Sequence, residues 1–416
     1  MQRIKNHPLV ASLLSLKGNP RYLVLMEPLW GIPYNLIAPF ATLYMYTQGV
    51  DDAQIGLILS LSMVVKVLFS FGGGIVTDKL GRRLTTNMGD FFGWTVACAM
   101  WAVSNNFWWF LAATLMNSFE HVNQTAWQCL LVEDAQEKDI NDMYTWIHIC
   151  GLSAVFFAPL SGLFINRYSL VPVMRVLYAI FALNMLIKTY VTWRYTTETA
   201  QGKIRKAQTK NVPVSQMILE YKRVFPLLFK GGNMVRIFII TVLLSISGMV
   251  TSTFFGLYAN LNLGVSQTLL AVFPILRAII MLVFFFGLAK MLDRFKMKKP
   301  LMTGLILNMV ALTLLILSPK SQLWPLILYT LLESVSNCLV MPRKDSMLMI
   351  GIDKEERARI LALVVGCSFI CTAPFGYLSG LLSQLDRRLP FLFALLLYGL
   401  CALVMSRYKD TQDTAD

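Results

Sequence analysis

Ionisable side chains interrupt strongly apolar segments of this chain. The stretch MNSFEHVNQTAWQ follows the apolar run FWWFLAATL and contains Glu120 and His121. Lys66, Arg277 and Glu333 stand in similar surroundings. Because a charge in hydrocarbon is costly, such residues indicate function by default. A carboxylate that changes its protonation state could couple a proton to another event.

Depth along a helix predicts which of these charges meet. With a rise of about 1.5 Å per residue, Lys66 and Glu120 lie roughly 16 and 18 Å from the helix ends at the basic loops. Arg277 and Glu333 both lie roughly 21–23 Å from those ends. We therefore predict two buried pairs, Lys66–Glu120 and Arg277–Glu333, each either a proton-linked site or a structural lock.

Two further charges are expected to serve the membrane surface. Lys188 stands near one end of an apolar segment, and a long lysine side chain there would extend to the interface. Asp90 stands close to a cluster of arginines, so we expect it to join the network of that basic loop.

Helical periodicity gathers polar residues into stripes. At about 100° per residue, Asn117, His121, Gln124 and Gln128 project in similar directions, with Glu120 to one side. A polar stripe on an apolar helix must face protein or water. The residues predicted to bind substrate or a proton are Glu27, Trp30, Tyr34, Lys66, Asn117, Glu120, His121, Gln124, Arg277, Glu333 and Asn337.

These residues belong to membrane-spanning segments. The chain of 416 residues is 56% hydrophobic and 14% charged, and apolar runs of bilayer length recur throughout it. We expect an all-α polytopic membrane protein with twelve transmembrane helices. The predicted spans one to twelve cover residues 22–46, 53–77, 84–104, 107–132, 143–165, 171–193, 234–258, 267–292, 300–318, 322–347, 357–383 and 389–407.

The basic residues indicate topology rather than a nucleic-acid partner. The net charge is +14, but most loop lysines and arginines fall in one alternating set of loops. This bias predicts a plasma-membrane protein with both termini in the cytoplasm. Three histidines, and cysteines confined to apolar segments, predict neither a metal site nor a cofactor.

The two halves of the chain repeat each other. Gly49-Val50 and Gly264-Val265 are separated by 215 positions, as are Ala158-Pro159 and Ala373-Pro374. Asp78 and Asp293 share the same offset. A duplicated six-helix unit is typical of transporters. The predicted domains are two six-helix bundles and the cytoplasmic loop between them, at residues 1–193, 234–416 and 194–233 respectively.

The stretch GGGIVTDKLGRR, between spans two and three, resembles the signature loop of the major facilitator superfamily. The resemblance implies that fold, with spans one, four, seven and ten lining a central cavity. It also implies that Asp78 approaches the start of span eleven and that Asp134 partners the motif arginine. The residues it assigns to a conformational gate are Gly74, Asp78, Gly81, Arg82, Arg83, Asp134, Asp293 and Arg294.

Together these features predict a secondary transporter, not an enzyme, because no clustered catalytic set is visible. We expect a monomer that moves a small organic solute by alternating access, coupled to protons and in the export direction. Carboxylates with aromatic residues suit a cationic or amphiphilic drug, whereas Asn, Gln, His and Trp suit sugar or metabolite uptake. A lipid-moving protein, which would need a lateral apolar groove, is the alternative from another class.

Overall fold

Helices make up the regular structure of this protein. The computed structural model describes residues 16–135, 143, 146–147, 149–151, 153–215, 232–287, 298–350 and 357–408, and all regular elements in these residues are helical. Nine helices within this part of the chain are long and apolar enough to cross a bilayer. The all-helical membrane fold is therefore confirmed, while the count of twelve spans stays a prediction.

Spans one, three and four each consist of consecutive helical segments. Their segments are Gly18–Met26, Pro28–Ile37, Ala38–Phe40 and Ala41–Thr47 in span one; Arg82–Asp90, the π-helical Phe91–Val96 and Ala97–Val103 in span three; and Phe107–Asn117 and Glu120–Val132 in span four. Pro28 lacks a backbone N–H, which breaks span one at Glu27. Irregular backbone at membrane depth is tolerated where it is buried in protein or lines a cavity.

The other helices are more regular. In chain order they are Asp52–Leu80 (span two), Ala158–Tyr168 (five), Leu170–Tyr195 (six), Ala200–Thr209, Gly232–Leu257 (seven) with π-helical Tyr258–Asn262, Gln267–Leu270 and Phe273–Gly287 (eight), Lys298–Ile316 (nine), Trp324–Ile350 (ten), Arg357–Leu385 (eleven) and Leu389–Ser406 (twelve). The helix Ala200–Thr209 lies in the predicted central loop, of which residues 216–231 are outside the described part.

The chain forms two compact units. Unit 1 comprises Met1–Tyr44 and Val65–Met217, and unit 2 comprises Met45–Val64 and Ile218–Asp416. The first half of span two thus packs within unit 2, although the helix itself continues into unit 1. The domain boundaries drawn at the central loop stay a prediction.

Glycines allow the first half of span two to contact span eleven within unit 2. A Cβ placed at Gly56 would lie 2.4 Å from the carbonyl oxygen of Gly376, so the two backbones approach closely there. At the end of this contact, Asp52 Oδ2 lies 3.1 Å from Arg387 Nε and accepts a hydrogen bond from Ser383. Backbone proximity and a buried ion pair together fix this crossing.

A glycine also brings span three close to span four in unit 1, and another brings span nine close to span ten in unit 2. A Cβ at Gly89 of span three would lie 2.2 Å from Asn123 Cβ of span four. A Cβ at Gly304 of span nine would lie 2.6 Å from a methyl of Val340 in span ten. Since 304 − 89 = 215, the two glycines occupy corresponding positions of the predicted repeat.

Candidate functional site

A polar cavity of about 310 Å³ lies inside unit 1. Spans one, three, four and six enclose it. The residues that line it are Glu27, Trp30, Asp90, Trp94, Glu120, His121, Asn123, Gln124, Trp127, Gln128 and Lys188. Five of the predicted site residues are among them, namely Glu27, Trp30, Glu120, His121 and Gln124. The cavity is therefore the candidate substrate site of this unit.

Lys188 is the lysine that lines this cavity. Its Nζ lies 3.4 Å from Glu27 Oε2 and 3.9 Å from Asp90 Oδ2. Asn123 donates a 2.7 Å hydrogen bond to the other oxygen of Asp90. Lys188 is only 4% exposed and Asp90 only 3%. Two carboxylates therefore share one buried lysine.

These contacts correct two expectations from the sequence. Lys188 does not extend to the interface, because carboxylates on two neighbouring helices lie at its own depth. Asp90 does not join the basic loop, because its side chain turns inward to Lys188 and Asn123. Their depths do match, since Asp90 is roughly 12 Å from the start of its helix at Arg82 and Lys188 roughly 10 Å from the end of span six, so depth would have made this pair a candidate.

Glu120 occupies a more open part of the same cavity. Its side chain is 25% exposed, compared with 14% for Glu27, and its Oε1 lies 3.6 Å from His121 Nε2. The backbone of span four packs tightly against span three here, since a Cβ at Gly93 would lie 2.7 Å from the Glu120 nitrogen. Glu120 is thus held on rigid backbone while its carboxylate remains accessible.

The predicted Lys66–Glu120 pair is wrong. Lys66 acts electrostatically on Glu120 and His121, yet within the described residues it has no carboxylate oxygen within 4.0 Å. The two residues match in depth, but Glu120 reaches the cavity between spans one, three, four and six, and Lys66 does not line it. Equal depth is therefore not sufficient for a pair, because the helix faces must also meet.

Aromatic rings form one wall of the cavity. Trp30 stacks on Tyr34 with ring centroids 5.0 Å apart, and Trp94 meets Trp30 edge-on at 5.6 Å. Tyr34 also interacts electrostatically with Glu120. A carboxylate therefore stands beside a cluster of electron-rich rings, which is an arrangement that attracts organic cations.

Two polar residues of span four differ in role. Asn117, predicted to face substrate, instead donates a 2.7 Å hydrogen bond to the carbonyl oxygen of Gly93, within the π-helical turn of span three. Trp127 lines the cavity, and its indole nitrogen is buried without a hydrogen-bond partner. Asn117 thus holds the backbone in place, whereas Trp127 offers a donor.

The predicted pair of unit 2 is confirmed. Arg277 Nε lies 3.0 Å from Glu333 Oε2, and Asn337 donates a 3.1 Å hydrogen bond to the other oxygen of Glu333. The guanidinium of Arg277 also lies over the ring of Phe255, at 5.3 Å from its centroid. Phe255 in turn stacks on Tyr329. The charges of this cluster are balanced one to one.

The signature loop forms an ionic network in unit 1. Arg82 Nη1 lies 3.1 Å from Asp78, and Arg82 Nε lies 3.2 Å from both oxygens of Glu133. The acidic partner of the motif arginine is therefore Glu133, and the assignment to Asp134 is wrong. Asp134 is directed to the segment after span six, where it accepts a hydrogen bond from the nitrogen of Ala200.

Glu198, which sequence reasoning missed, completes this network. Its carboxylate accepts hydrogen bonds from the backbone nitrogens of Arg82 at 2.9 Å and Arg83 at 3.1 Å. A carboxylate at a helix N-terminus is favourable. Gly81 has φ +96° and a Cβ there would lie 2.4 Å from Glu198, so the turn needs glycine. The guanidinium of Arg83 covers the ring of Trp193 at 4.2 Å.

Three predictions for the gate are not tested. Asp293 and Arg294 lie outside the described residues, as does residue 355, where the segment that Asp78 was expected to approach begins. Gly74 lies within the helix of span two. The close approach in that region occurs at the neighbouring Gly73, where a Cβ would lie 3.0 Å from Val122 Cα.

Comparison with known proteins gives consistent matches. The family described as Major Facilitator Superfamily matches residues 29–364. The uncharacterized MFS-type transporter YqjV of Bacillus subtilis (strain 168) is 30% identical over 136 residues, which are 31% of this chain and 32% of YqjV. The matched region thus spans about a third of that relative.

Solved structures match over nearly the whole chain. The nucleoside transporter NupG is 17% identical with a TM-score of 0.72, and the match covers 94% of this chain and 100% of that one. A POT family transporter in complex with a thioalcohol conjugated peptide is 10% identical with a TM-score of 0.69, covering 95% and 98%. At these identities the likeness shows a shared fold.

Proposed function

Because the chain belongs to the Major Facilitator Superfamily, a family of membrane transporters, we propose that it is a proton-coupled secondary transporter that exports a small organic cation. The observation that carries the proposal is the excess of acid in the cavity of unit 1. Among the described residues, three carboxylates but only one lysine line that cavity. Carboxylates still outnumber lysines, by three to two, if Lys66, which acts on Glu120 from outside the lining, is added.

The aromatic wall supports a cationic substrate. Trp30 and Trp94 line the cavity together with Glu120, and Tyr34 stacks on Trp30. A cation placed over such a ring gains roughly 0.5–2 kcal/mol from the ring quadrupole, more when water is excluded. Flat apolar groups also pack against these rings. The cavity thus suits an organic cation with an apolar body.

The buried carboxylates support coupling to protons. An unpaired carboxylate in a low-dielectric site tends either to take up a proton or to gain a cationic partner. Lys188 neutralises only one charge of Glu27 and Asp90, and Glu120 has no closer basic partner than His121. In the proposal, Glu120 binds the substrate, and the cluster of Glu27, Asp90 and Lys188 responds by changing its proton content.

Competition between proton and substrate for one site determines the direction in which the substrate is transported. If the same negative cavity accepts either a proton or an organic cation, the two must cross the membrane in opposite directions. An inward proton gradient then drives the cation out. We accordingly place the protein in the plasma membrane as a monomer with both termini in the cytoplasm, and we assign Asp78, Arg82 and Glu133 to the gate that switches its access.

Proteoliposome flux tests this proposal. The purified protein is reconstituted with a fluorescent organic cation such as ethidium, and dye movement is followed with and without an imposed pH gradient. We expect the gradient to drive dye against its concentration difference, and Glu120→Gln to lose this driven flux. Dye flux that ignores the gradient would contradict proton coupling.

A matched variant tests whether the loss of any carboxylate from a membrane helix would have the same effect as the loss of Glu120. Asp345→Asn makes the same carboxyl-to-amide change at a side chain in span ten that is 61% exposed and paired with Lys344. We expect this variant to retain driven flux. If Asp345→Asn and Glu120→Gln lost flux equally, the cavity would have no special place in the mechanism.

A second candidate, uptake of a hydroxyl-rich solute, is favoured by one specific observation. The indole nitrogen of Trp127 is buried without an acceptor and lies beside Gln124 and Gln128, which also line the cavity. A sugar hydroxyl could accept that hydrogen bond. The same liposomes loaded with radiolabelled monosaccharides distinguish the candidates, because sugar uptake without cation flux would favour this second function.

A further inference from the structure

An apolar groove runs along the surface of unit 2 between spans nine and twelve. Its volume is about 1060 Å³. The side chains that line it are Ile306, Met309, Val310, Thr313, Leu314, Leu395, Leu396, Leu400 and Leu403, together with Gly399. Nine of these ten residues are apolar and none is charged, so the groove lacks the carboxylates that would bind the organic cation proposed for unit 1.

The groove is open to its surroundings rather than filled by protein. Leu396 and Leu403 on its rim are 62% and 64% exposed. Gly399 forms a notch, because the nearest atom to a Cβ placed there would be the terminal methyl of Met309, at 3.8 Å. Two membrane helices that leave such a channel between them expose it to acyl chains.

One end of the groove carries positive charge. Lys299 precedes Ile306 by seven residues, and Arg407 follows Leu400 by seven residues. Seven residues return a helix to within about 20° of the same direction, so both cations continue the two faces that line the groove. Each lies roughly 10 Å of helix beyond its groove residue. This is the end that the distribution of basic residues assigns to the cytoplasm.

The two helix ends that carry these cations are tied to each other, and both cations are exposed. Lys298 Nζ donates 2.8 Å hydrogen bonds to the carbonyl oxygens of Ser406 and Tyr408, which ties the start of span nine to the end of span twelve. Lys299 and Arg407 are exposed, and neither forms an ion pair with a carboxylate in the part of the chain that the structure describes. They are therefore free to meet an anion from solvent or lipid.

We propose that this groove is a binding site for an anionic phospholipid. The acyl chain lies along Met309 and Gly399, and the headgroup phosphate lies between Lys299 and Arg407. Basic pockets between membrane helices on the cytoplasmic side recognise anionic headgroups in this way. The charge at the end of the groove distinguishes this occupant from a second copy of the chain, whose own groove would bring the same cations together.

Native mass spectrometry of the purified chain tests the site. Phosphatidylglycerol and phosphatidylcholine with identical acyl chains are added separately, and the bound fraction is measured. We expect stronger binding of phosphatidylglycerol. Lys299→Gln and Arg407→Gln should each weaken it about fivefold, the equivalent of roughly 1 kcal/mol per cation. Gly399→Leu, which fills the notch, should weaken it about tenfold, the equivalent of two displaced methylene groups.

Two matched variants serve as controls. Lys320→Gln removes an exposed lysine beyond the opposite end of span nine, and Gly248→Leu fills open space at a glycine of span seven. Both should bind phosphatidylglycerol as the unaltered chain does. Equal binding of the two lipids, or unchanged binding in the Lys299→Gln/Arg407→Gln double variant, would overturn the proposal. A dimer that Gly399→Leu dissociates would assign the groove to a second copy and overturn it equally.

Discussion

Unit 1 and unit 2 accommodate charge in the membrane in different ways. In unit 1, Glu27, Asp90 and Glu120 line a cavity in which Lys188 is the single lysine among the described residues. In unit 2, Arg277 faces Glu333 directly, at 3.0 Å. The first arrangement leaves negative charge to be neutralised by something else, whereas the second is neutral by itself.

The charged residues around the cavity of unit 1 have no charged counterparts at the corresponding positions of unit 2. An offset of 215 carries Lys66, Glu120 and Asn123 onto Met281, Val335 and Cys338. These three side chains belong to an apolar cluster of unit 2 built around Phe284 and Leu339. The cavity of unit 1 therefore has an apolar counterpart in unit 2.

The charged pair of unit 2 likewise corresponds to uncharged residues in unit 1. The same offset carries Arg277 and Glu333 back onto Ser62 and Ser118 of unit 1. The two predicted pairs therefore do not occupy corresponding positions of the repeat. The comparison indicates that the backbone repeat is common to both units, while the ionisable groups were placed separately. We expect the balanced pair to act as a lock and the unbalanced cavity to act on substrate and protons.

Removal of Lys188 should have the largest effect. Lys188→Leu introduces the residue found at the corresponding position 403, and it strands Glu27 and Asp90 together in a buried site. Breaking such a cluster costs about 3–5 kcal/mol of unfolding free energy. Thermal unfolding of the purified protein measures the loss, which should shrink at acidic pH as the carboxylates become protonated.

A double variant distinguishes lost charge balance from lost packing. Lys188→Leu/Asp90→Leu returns the net charge of the cluster to its original value. We expect it to recover much of the stability but none of the proton-driven flux. A double variant as unstable as Lys188→Leu alone would show that charge balance is not what Lys188 supplies.

Opening the pair of unit 2 should have the next largest effect. Arg277→Ser takes the residue of the corresponding position 62 and leaves Glu333 without its partner. Because the Arg277 side chain is 31% exposed, the cost should fall below that of a fully buried pair, at about 2–3 kcal/mol. Arg277→Ser/Glu333→Ser should restore the melting temperature and retain driven flux. Loss of flux in a stable double variant would make this pair part of the mechanism.

Replacing the glycines at the close helix contacts should have the third-largest effect, and the size of the effect should differ between the units. Gly89→Ala meets Asn123 Cβ at 2.2 Å and Asn123 Cα at 3.1 Å. Gly304→Ala meets a Val340 methyl at 2.6 Å, Leu339 Cβ at 3.0 Å and the Ser336 carbonyl oxygen at 3.2 Å, so its closest contact is less severe. Overpacking typically costs about 1–3 kcal/mol, and we expect Gly89→Ala at the upper end and Gly304→Ala at the lower. Melting temperatures of the two variants, measured side by side, check this order.

Loss of one aromatic ring should have the smallest effect. Trp30→Leu keeps an apolar side chain but removes the ring that stacks on Tyr34. A lost cation–π contact of about 1 kcal/mol would weaken binding of an organic cation about fivefold. Fluorescence titration with ethidium measures this change. Trp324→Leu, at a tryptophan that is 60% exposed in unit 2, should leave the affinity unchanged.

The sequence predicted the fold well, because apolar length and loop charge report directly on membrane helices. It also located the substrate-site candidates of spans one and four, since polar residues on an apolar helix are conspicuous. Arg277 and Glu333 were paired correctly because their depths and helix faces both match.

Contacts that depend on helix orientation could not be read from one chain. Lys188 and Asp90 lie on spans six and three, and their proximity depends on which faces these helices turn toward each other. The choice between Glu133 and Asp134 is a rotation of about 100° on one helix. Glu198 follows span six, far in sequence from the loop that it caps. Depth along the helix was available in each case, whereas direction around it was not.

Proton release on substrate binding tests the central claim most directly. The purified protein in weakly buffered detergent solution is mixed with ethidium near neutral pH, and the change in pH is recorded with an indicator dye. If cation and proton compete for the carboxylates of unit 1, about one proton should be released per cation bound. Cation binding to the cavity without proton release would contradict the account.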